Sequence, residues 1–484
     1  GSCQRICEVL LLVAIDAYQK WSWWRQCHCA GWGPRRGWAG PRRRSHCFRT
    51  PLSSSLHQTK ACRSRLGGLL QSLPRCAPEQ SNCGEPSPPL RWLASTAYAL
   101  PLIARRAASL ARVGSHGTKL PLLNFKLYWV VCGYSLAFGH SKGGLIGWSS
   151  DLFCLQGIAP DAVLPGTNIP VYLHVLFQGM FAIITPALFT GSFAGRVRFT
   201  ALMIFMVLFM IFIYCPLAHW TWHPNGFLRN WGVLDFAGGT VVHMSAGMAA
   251  LAGAFFFGRR RDYARPSYPA NIPFVLLGTG LLWFGWFGFN AGSALAANGQ
   301  AAQAFMNTFL AGAAAGLAWI LIEWMRDGHP TNLGAASGIV AGLVAITPAA
   351  GYVSGPAPIL IGLIAGAICC YAVRLKNKFG YDDALDVVGV HFVGGLVGSL
   401  LIGFFANPTF FEGSFDEGIF YGGGAGLLVE QAIANGAAIV WSFVLTYIIM
   451  MALKKTIGVR VSPETESTGL DLAEHGETAY HGAQ

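Results

Sequence analysis

The chain has 484 residues, 53% of them hydrophobic and only 12% charged, with a mean hydropathy of +0.44. A soluble domain carries about 25% charged residues, so this composition excludes one and describes a polytopic membrane protein. The net charge of +12 is no nucleic-acid signature of the whole molecule: residues 1–119 hold 18 Lys and Arg against 4 Asp and Glu, and the remaining 365 residues come to −2.

The first 119 residues, with GPRRGWAGPRRRSHCFR near their centre, show neither helical nor strand periodicity. Eight of the 13 cysteines fall between Cys3 and Cys83. Cys27-His28-Cys29 offers metal donors, but no second pair follows at zinc spacing, so no metal site is expected. Three readings fit this segment. It is a disordered basic tail that touches anionic lipid or RNA, or a targeting segment, or not natural protein sequence at all. The targeting reading is weakened because the one early apolar run, ICEVLLLVAIDAY, contains Glu8 and Asp16 and lacks a small-residue cleavage site. The third reading fits best. Arg, Pro, Gly, Ala, Cys and Trp are what GC-rich DNA yields in a wrong frame, and the chain begins at Gly1 rather than Met.

From about Pro121 the chain becomes a series of apolar segments near the roughly 20 residues a helix needs to span a bilayer. Ten spans are predicted, at 121–140, 170–190, 199–219, 235–257, 272–294, 303–324, 333–350, 357–376, 386–405 and 428–453. Domain limits follow at 1–119, 120–457 and 458–484. Alternating the loops gathers Arg196, Arg198, Arg259 to Arg261, Arg326, Arg374, Lys376, Lys378, Lys454 and Lys455 on one face. The other face keeps little besides Lys142 and Arg229. The positive-inside rule makes the first face cytoplasmic and the C-terminus with it, in an inner or plasma membrane. Small residues at four-residue spacing (Gly334, Gly338 and Gly342; Gly362 and Gly366; Gly394 and Gly398) predict a tightly packed bundle.

Two spans carry polar residues that hydrocarbon penalises. In LDFAGGTVVHMSAGMAALAG, Asp235 stands where a carboxylate can cap the helix. His243 lies eight residues further in, roughly 12 Å towards the midplane. His391, in DDALDVVGVHFVGGLVG, lies a few residues after Asp386 in a span of opposite direction, five spans later. Matching residues in opposed spans are what an inverted repeat produces, and the two histidines read as a paired site lining a pathway. Aromatic residues collect near the extracellular ends. HVLFQGMFA places Phe177 and Phe181 on one helix face with Gln178 between them, AHWTWHPNG puts Trp222 in an extracellular loop, and LLWFGWFGFNAGSA brings Trp286, Phe289, Asn290 and Ser293 together.

DFAGGTVVH, GWFGFNAGSA, HVLFQG, DVVGVH and the tail GVRVSPETESTGLDLAEHGETAY strongly resemble the ammonium transporter (Amt/Mep/Rh) family, the Amt branch in particular, from about Tyr128 to Tyr480. The resemblance implies an all-α membrane fold of eleven helices, two inverted five-helix halves and a last helix, assembled as a homotrimer with one pore per subunit. It implies ammonium or ammonia as the permeant species, no cofactor and no enzymatic activity. Carried over, Phe177, Trp222 and Ser293 match the ammonium recruitment site, Phe181 and Phe289 the phenyl gate, and His243 and His391 the pore pair. Asp235 matches a supporting acid, with Gln178, Trp286, Asn290 and Asp386 as further supporting residues. The acidic tail matches the segment that packs beneath the pore and contacts PII-type signal proteins. Two alternatives stand beside transport: an ammonium sensor whose output is the tail, and a neutral-gas channel of the Rh type, against which Trp222 and Ser293 weigh. The chain departs from the family in lacking a recognisable first helix, and its second is recognisable only from about Asn124.

Overall fold

The computed structural model describes residues 125–264, 269, 271–410 and 415–476. The expectations for residues 1–119, the Cys27-His28-Cys29 pair and the end of the tail lie outside them. Among the described residues, eight helices are long and apolar enough to cross a membrane, and two shorter apolar helices join them. Each predicted span is therefore helical. In chain order they are α1 (Phe125–Phe138), α2 (Val171–Phe193), α3 (Phe199–Asn230), α4 (Gly239–Phe257), α5 (Ile272–Ala294), α6 (Gly299–Asp327), α7 (Asn332–Ile346), α8 (Ala357–Phe379), α9 (Val388–Phe405) and α10 (Gly426–Thr456). Two short tail helices follow, α11 (Pro463–Thr468) and α12 (Leu470–His475). Between α1 and α2 a two-residue hairpin pairs Ser141 with Gly147 and Lys142 with Ile146.

Side-chain caps fix several starts. Asn271 accepts the Phe274 N–H, Asn298 that of Ala301, and Thr331 that of Gly334. Each satisfies one of the donors a helix start leaves unpaired. Two boundaries differ from the sequence reading. Residues 235–238 form a capping loop, so the fourth span begins at Gly239. Trp222, expected in a loop, is the last residue of the helical segment Cys215–Trp222, and the chain bends only after it.

The predicted small-residue faces are where helices meet. A Cβ at Gly342 would strike the Ala311 carbonyl and the Ala315 side chain, one at Gly366 the Ala315 carbonyl, and one at Gly398 the Ala345 carbonyl. Helices α6, α7, α8 and α9 thus pack backbone against backbone. Helices α4 and α9 cross antiparallel at the centre. Gly247 of α4 faces the backbone of Phe392, while Gly395 of α9 faces Gly239 and His243. Both helices open on a π-turn, Gly239–Met244 and Val388–Phe392, and each π-turn contains one of the two histidines.

At the end rich in basic residues, Asp382 accepts from Arg196 at 3.0 Å and from Arg260 Nε at 2.9 Å. It thereby ties the α2–α3, α4–α5 and α8–α9 loops together. The tail is laid against this end. The Arg198 N–H donates to the Val459 carbonyl (2.9 Å) and the Val461 N–H to the Arg196 carbonyl (3.1 Å).

Candidate functional site

The site begins at the N-terminus of α4. Asp235 Oδ1 accepts the N–H groups of Gly238 and Gly239, both at 2.7 Å, and Oδ2 accepts that of Thr240 at 2.8 Å. With the Val241 N–H, which reaches Oδ2 at 3.4 Å, one carboxylate thus satisfies four donors that the helix start would leave bare. Gly238 makes this turn possible, since its φ of +105° lies in the region other residues avoid and a Cβ there would strike Val242 and Trp222. Burial pushes the Asp235 carboxyl upward, and the donated N–H bonds of Thr240, Gly238, Gly239 and Val241 oppose it. Its backbone carbonyl also accepts the indole N–H of Trp222 at 2.9 Å. The residue that starts α4 therefore also sets the Trp222 ring.

From Trp222 a continuous file of rings leads inward. Phe181 meets Trp222 edge to face with centroids 5.5 Å apart, meets Phe177 likewise at 4.9 Å, and stacks on Phe289 at 4.1 Å and 27°. Phe289 is followed by His243 at 6.4 Å, and His243 stacks on His391 at 5.3 Å and 17°. Helices α2, α3, α4, α5 and α9 each supply a ring. Ser293 Oγ donates to the Phe289 carbonyl at 2.9 Å, which leaves its lone pairs as acceptors.

The histidine pair has a definite chemistry. His243 Nδ1 lies 3.3 Å from His391 Nδ1, and neither partner is a carbonyl or an amide. A hydrogen bond between them therefore holds one proton, with one imidazole as donor and the other as acceptor. His243 is fully buried, and among the described residues its Nε2 meets no partner. Trp286 stacks on the His243 ring at 5.4 Å and 12°. Its indole N–H donates to Thr347 Oγ1 at 2.8 Å, and that hydroxyl donates to the Leu343 carbonyl. Sequence reasoning missed Thr347, because a helical threonine reads as bonded to its own backbone.

The other supporting residues are placed as follows. Gln178 is buried, and its Oε1 meets no donor among the described residues. Asn290 donates to Thr308 at 2.9 Å and so ties α5 to α6 rather than facing the ring file with that group. Asp386 does not hold the place that Asp235 holds. It has a φ of +58° and pairs with Lys376 at 2.6 Å. The equivalent cap is Asp383, whose Oδ2 accepts the Val388 N–H at 2.8 Å. The signal was in the sequence: Asp383 precedes His391 by the eight residues that separate Asp235 from His243.

A model of the Ammonium Transporter Family matches residues 121–480. An ammonium transporter of Mycobacterium tuberculosis is 47% identical over 379 residues, which cover 73% of this chain and 80% of the relative. One of Aquifex aeolicus is 49% identical over 356 residues, covering 73% and 82%. Among solved structures, Mep2 of Candida albicans superposes with a TM-score of 0.72 at 34% identity, covering 81% of this chain and 90% of its own. A structure described as a sensor Amt protein superposes with a TM-score of 0.71 at 30% identity, covering 80% and 97%.

Proposed function

The chain belongs to the ammonium transporter family, and from that premise we propose that the ring file is the path its substrate takes. Phe177, Trp222 and Ser293 recruit ammonium at the outer face, Phe181 and Phe289 gate the entrance, and His243 and His391 line a narrow apolar pore. An ammonium ion resembles K⁺ in size, so selection uses what K⁺ lacks. Ammonium donates hydrogen bonds, which Ser293 can accept, and it can lose a proton. The aromatic faces attract the cation by about 0.5–2 kcal/mol. Beyond the stacked phenyls charge is costly and ammonia is not. A neutral imidazole pair can hydrogen-bond ammonia there or relay its proton.

The observation that carries this reading is the buried Nδ1–Nδ1 contact between His243 and His391 beneath the stacked phenyl pair. The assembly is a homotrimer with one pore per subunit in an inner or plasma membrane, with the basic face and the tail in the cytoplasm. The tail is the regulatory segment and the contact for a PII-type signal protein. The similarity to a sensor Amt protein keeps one second reading, ammonium sensing through the same tail.

The test replaces His243 and His391 singly by Leu and records current in proteoliposomes under separate ammonium and K⁺ gradients. Each replacement suppresses ammonium-driven current, and leakage of K⁺ rises because the permeant species need no longer give up a proton. Full ammonium current with full selectivity over K⁺ in both variants would make the pair structural and end this reading.

A further inference from the structure

Trp222 is held from three sides. Its indole N–H donates to the Asp235 carbonyl, its own carbonyl accepts Arg229 Nη1 at 2.7 Å, and its backbone runs directly into the bend that His223 opens. His223 closes that bend. Its Nδ1 lies 3.0 Å from the Asn225 N–H, and its carbonyl accepts the Gly226 N–H at 2.8 Å. Its ring stacks on that of His219 with centroids 4.3 Å apart at 19°.

The partners fix both tautomers. His219 Nδ1 lies 2.8 Å from the Ala137 carbonyl, which only accepts, so Nδ1 carries the hydrogen and Nε2 faces Ser141 Oγ at 2.8 Å. The Asn225 N–H only donates, so His223 Nδ1 is unprotonated and the hydrogen sits on Nε2. A proton added to His223 must therefore enter at Nδ1, where it opposes the Asn225 N–H and removes one of the two hydrogen bonds that close the bend. The resulting cation lies against the His219 ring, with Arg229 and His140 as its further charged or titratable neighbours. Asp151 lines the same open cleft as His140 and His223. The imidazolium cannot move inward with the chain, because Gly226 packs against the His219 and Trp220 carbonyls. His223 follows Trp222 directly in the chain, so the loss of the His223–Asn225 hydrogen bond loosens the bend next to Trp222.

We propose that His223 is a positioning residue for Trp222 and makes ammonium recruitment sensitive to the pH of the outer face. This rests on the reading of Trp222 as a wall of the recruitment site. Uptake of labelled methylammonium into proteoliposomes holding the full chain tests it, with external pH lowered from about 6 to about 3, because burial, with His219, Arg229 and His140 beside it, holds the His223 imidazole down at about 4. Methylammonium stays protonated throughout, so the supply of cation is constant. In the wild type KM rises about threefold to fivefold, as expected for a displaced aromatic wall, with a smaller change in kcat. His223→Asn keeps an acceptor for the Asn225 N–H and cannot titrate, so its KM stays at the neutral wild-type value at every pH. His223→Phe keeps a stacking ring and loses the acceptor, so its KM sits at the acid value throughout.

His223→Gln replaces the Asn variant if the latter does not accumulate in the membrane. A His223→Asn or His223→Gln protein that follows the wild-type pH dependence would overturn the inference. Trp222→Leu at pH about 6 separates the two levels of the argument. A raised KM there, with unaltered pH dependence in the His223 variants, overturns the role of His223 alone. An unchanged KM removes the recruitment premise and this inference with it.

Discussion

Asp235 and Asp383 each stand eight residues ahead of a central histidine, yet their carboxylates are used differently. Both oxygens of Asp235 are occupied by helix N–H groups. Asp383 uses only Oδ2, and its buried Oδ1 has no partner among the described residues. Burial, with the nearby Asp386 carboxylate, pushes the Asp383 carboxyl up to about 6, against the Val388 N–H and Lys376. The sign of the pH dependence follows. Between about 4 and 6 the folded protein keeps a proton that the unfolded chain has lost, so stability falls as pH rises through that window and is level above it. The total loss is no more than about 3 kcal/mol. Asp383→Asn keeps an acceptor for Val388 and removes the titration, so melting in detergent becomes flat across the same window. A variant that keeps the wild-type slope would place the titration elsewhere, on Asp386 first. At this scale the histidines were legible because a polar group in an apolar span has few bland explanations. Asp383 was not, because three aspartates lie within five residues and only the interval to His391 distinguishes the one that caps.

At the scale of helices, the contact between the two imidazoles depends on how closely α4 and α9 cross. Gly247 and Gly395 each stand four residues after a central histidine, and each admits the opposite helix. A Cβ at Gly247 would strike the backbone of Phe392. One at Gly395 would come within 2.9 Å of the Gly239 carbonyl and 3.2 Å of the His243 Cβ. Because backbone cannot rotate away, Gly247→Ala forces the helices apart, destabilises by about 1–3 kcal/mol and lengthens the 3.3 Å contact on which the proposed relay depends. Gly436→Ala on α10 is the control, since no other helix among the described residues comes within 4 Å of a Cβ at that position. It should leave melting unchanged or raise it by up to about 1 kcal/mol. Melting and methylammonium uptake in the two variants check this, and equal behaviour would remove the crossing from the argument. All ten spans were legible because length and hydropathy are properties of one segment. The crossing glycines were not, because a four-residue repeat marks faces such as Gly334, Gly338 and Gly342, whereas the crossing needs one glycine per helix, at a register that only the partner defines.

For the molecule as a whole, the open matter is what the tail does to the bundle it lies against. Arg460 donates to the Phe257 and Arg259 carbonyls at the end of α4 and pairs with Glu466, which also accepts the Arg261 N–H. Glu474 accepts the Phe199 N–H at the start of α3. Val459, Val461 and Leu470 are buried. The tail thus grips the loops that follow α2, which carries Phe177 and Phe181, and α4, which carries His243. Among the described residues its hydrogen bonds reach the helix ends and loops rather than the crossings among α4, α6, α7, α8 and α9, so the bundle should insert and fold without it. Truncation after Lys455 is therefore expected to leave a membrane-inserted protein that melts lower by about 1–3 kcal/mol, because carbonyls such as that of Phe257 lose partners, and whose methylammonium flux per molecule differs from that of the full chain. Arg460→Ala should shift flux in the same direction by a smaller amount, since it frees the α4 end while the Val459 and Val461 backbone pairing remains. Quantified insertion, melting and uptake on the same membranes distinguish the cases. A truncated chain that fails to insert makes the tail structural, and one that inserts with the flux of the full chain leaves the contacts with α2 and α4 without a regulatory role.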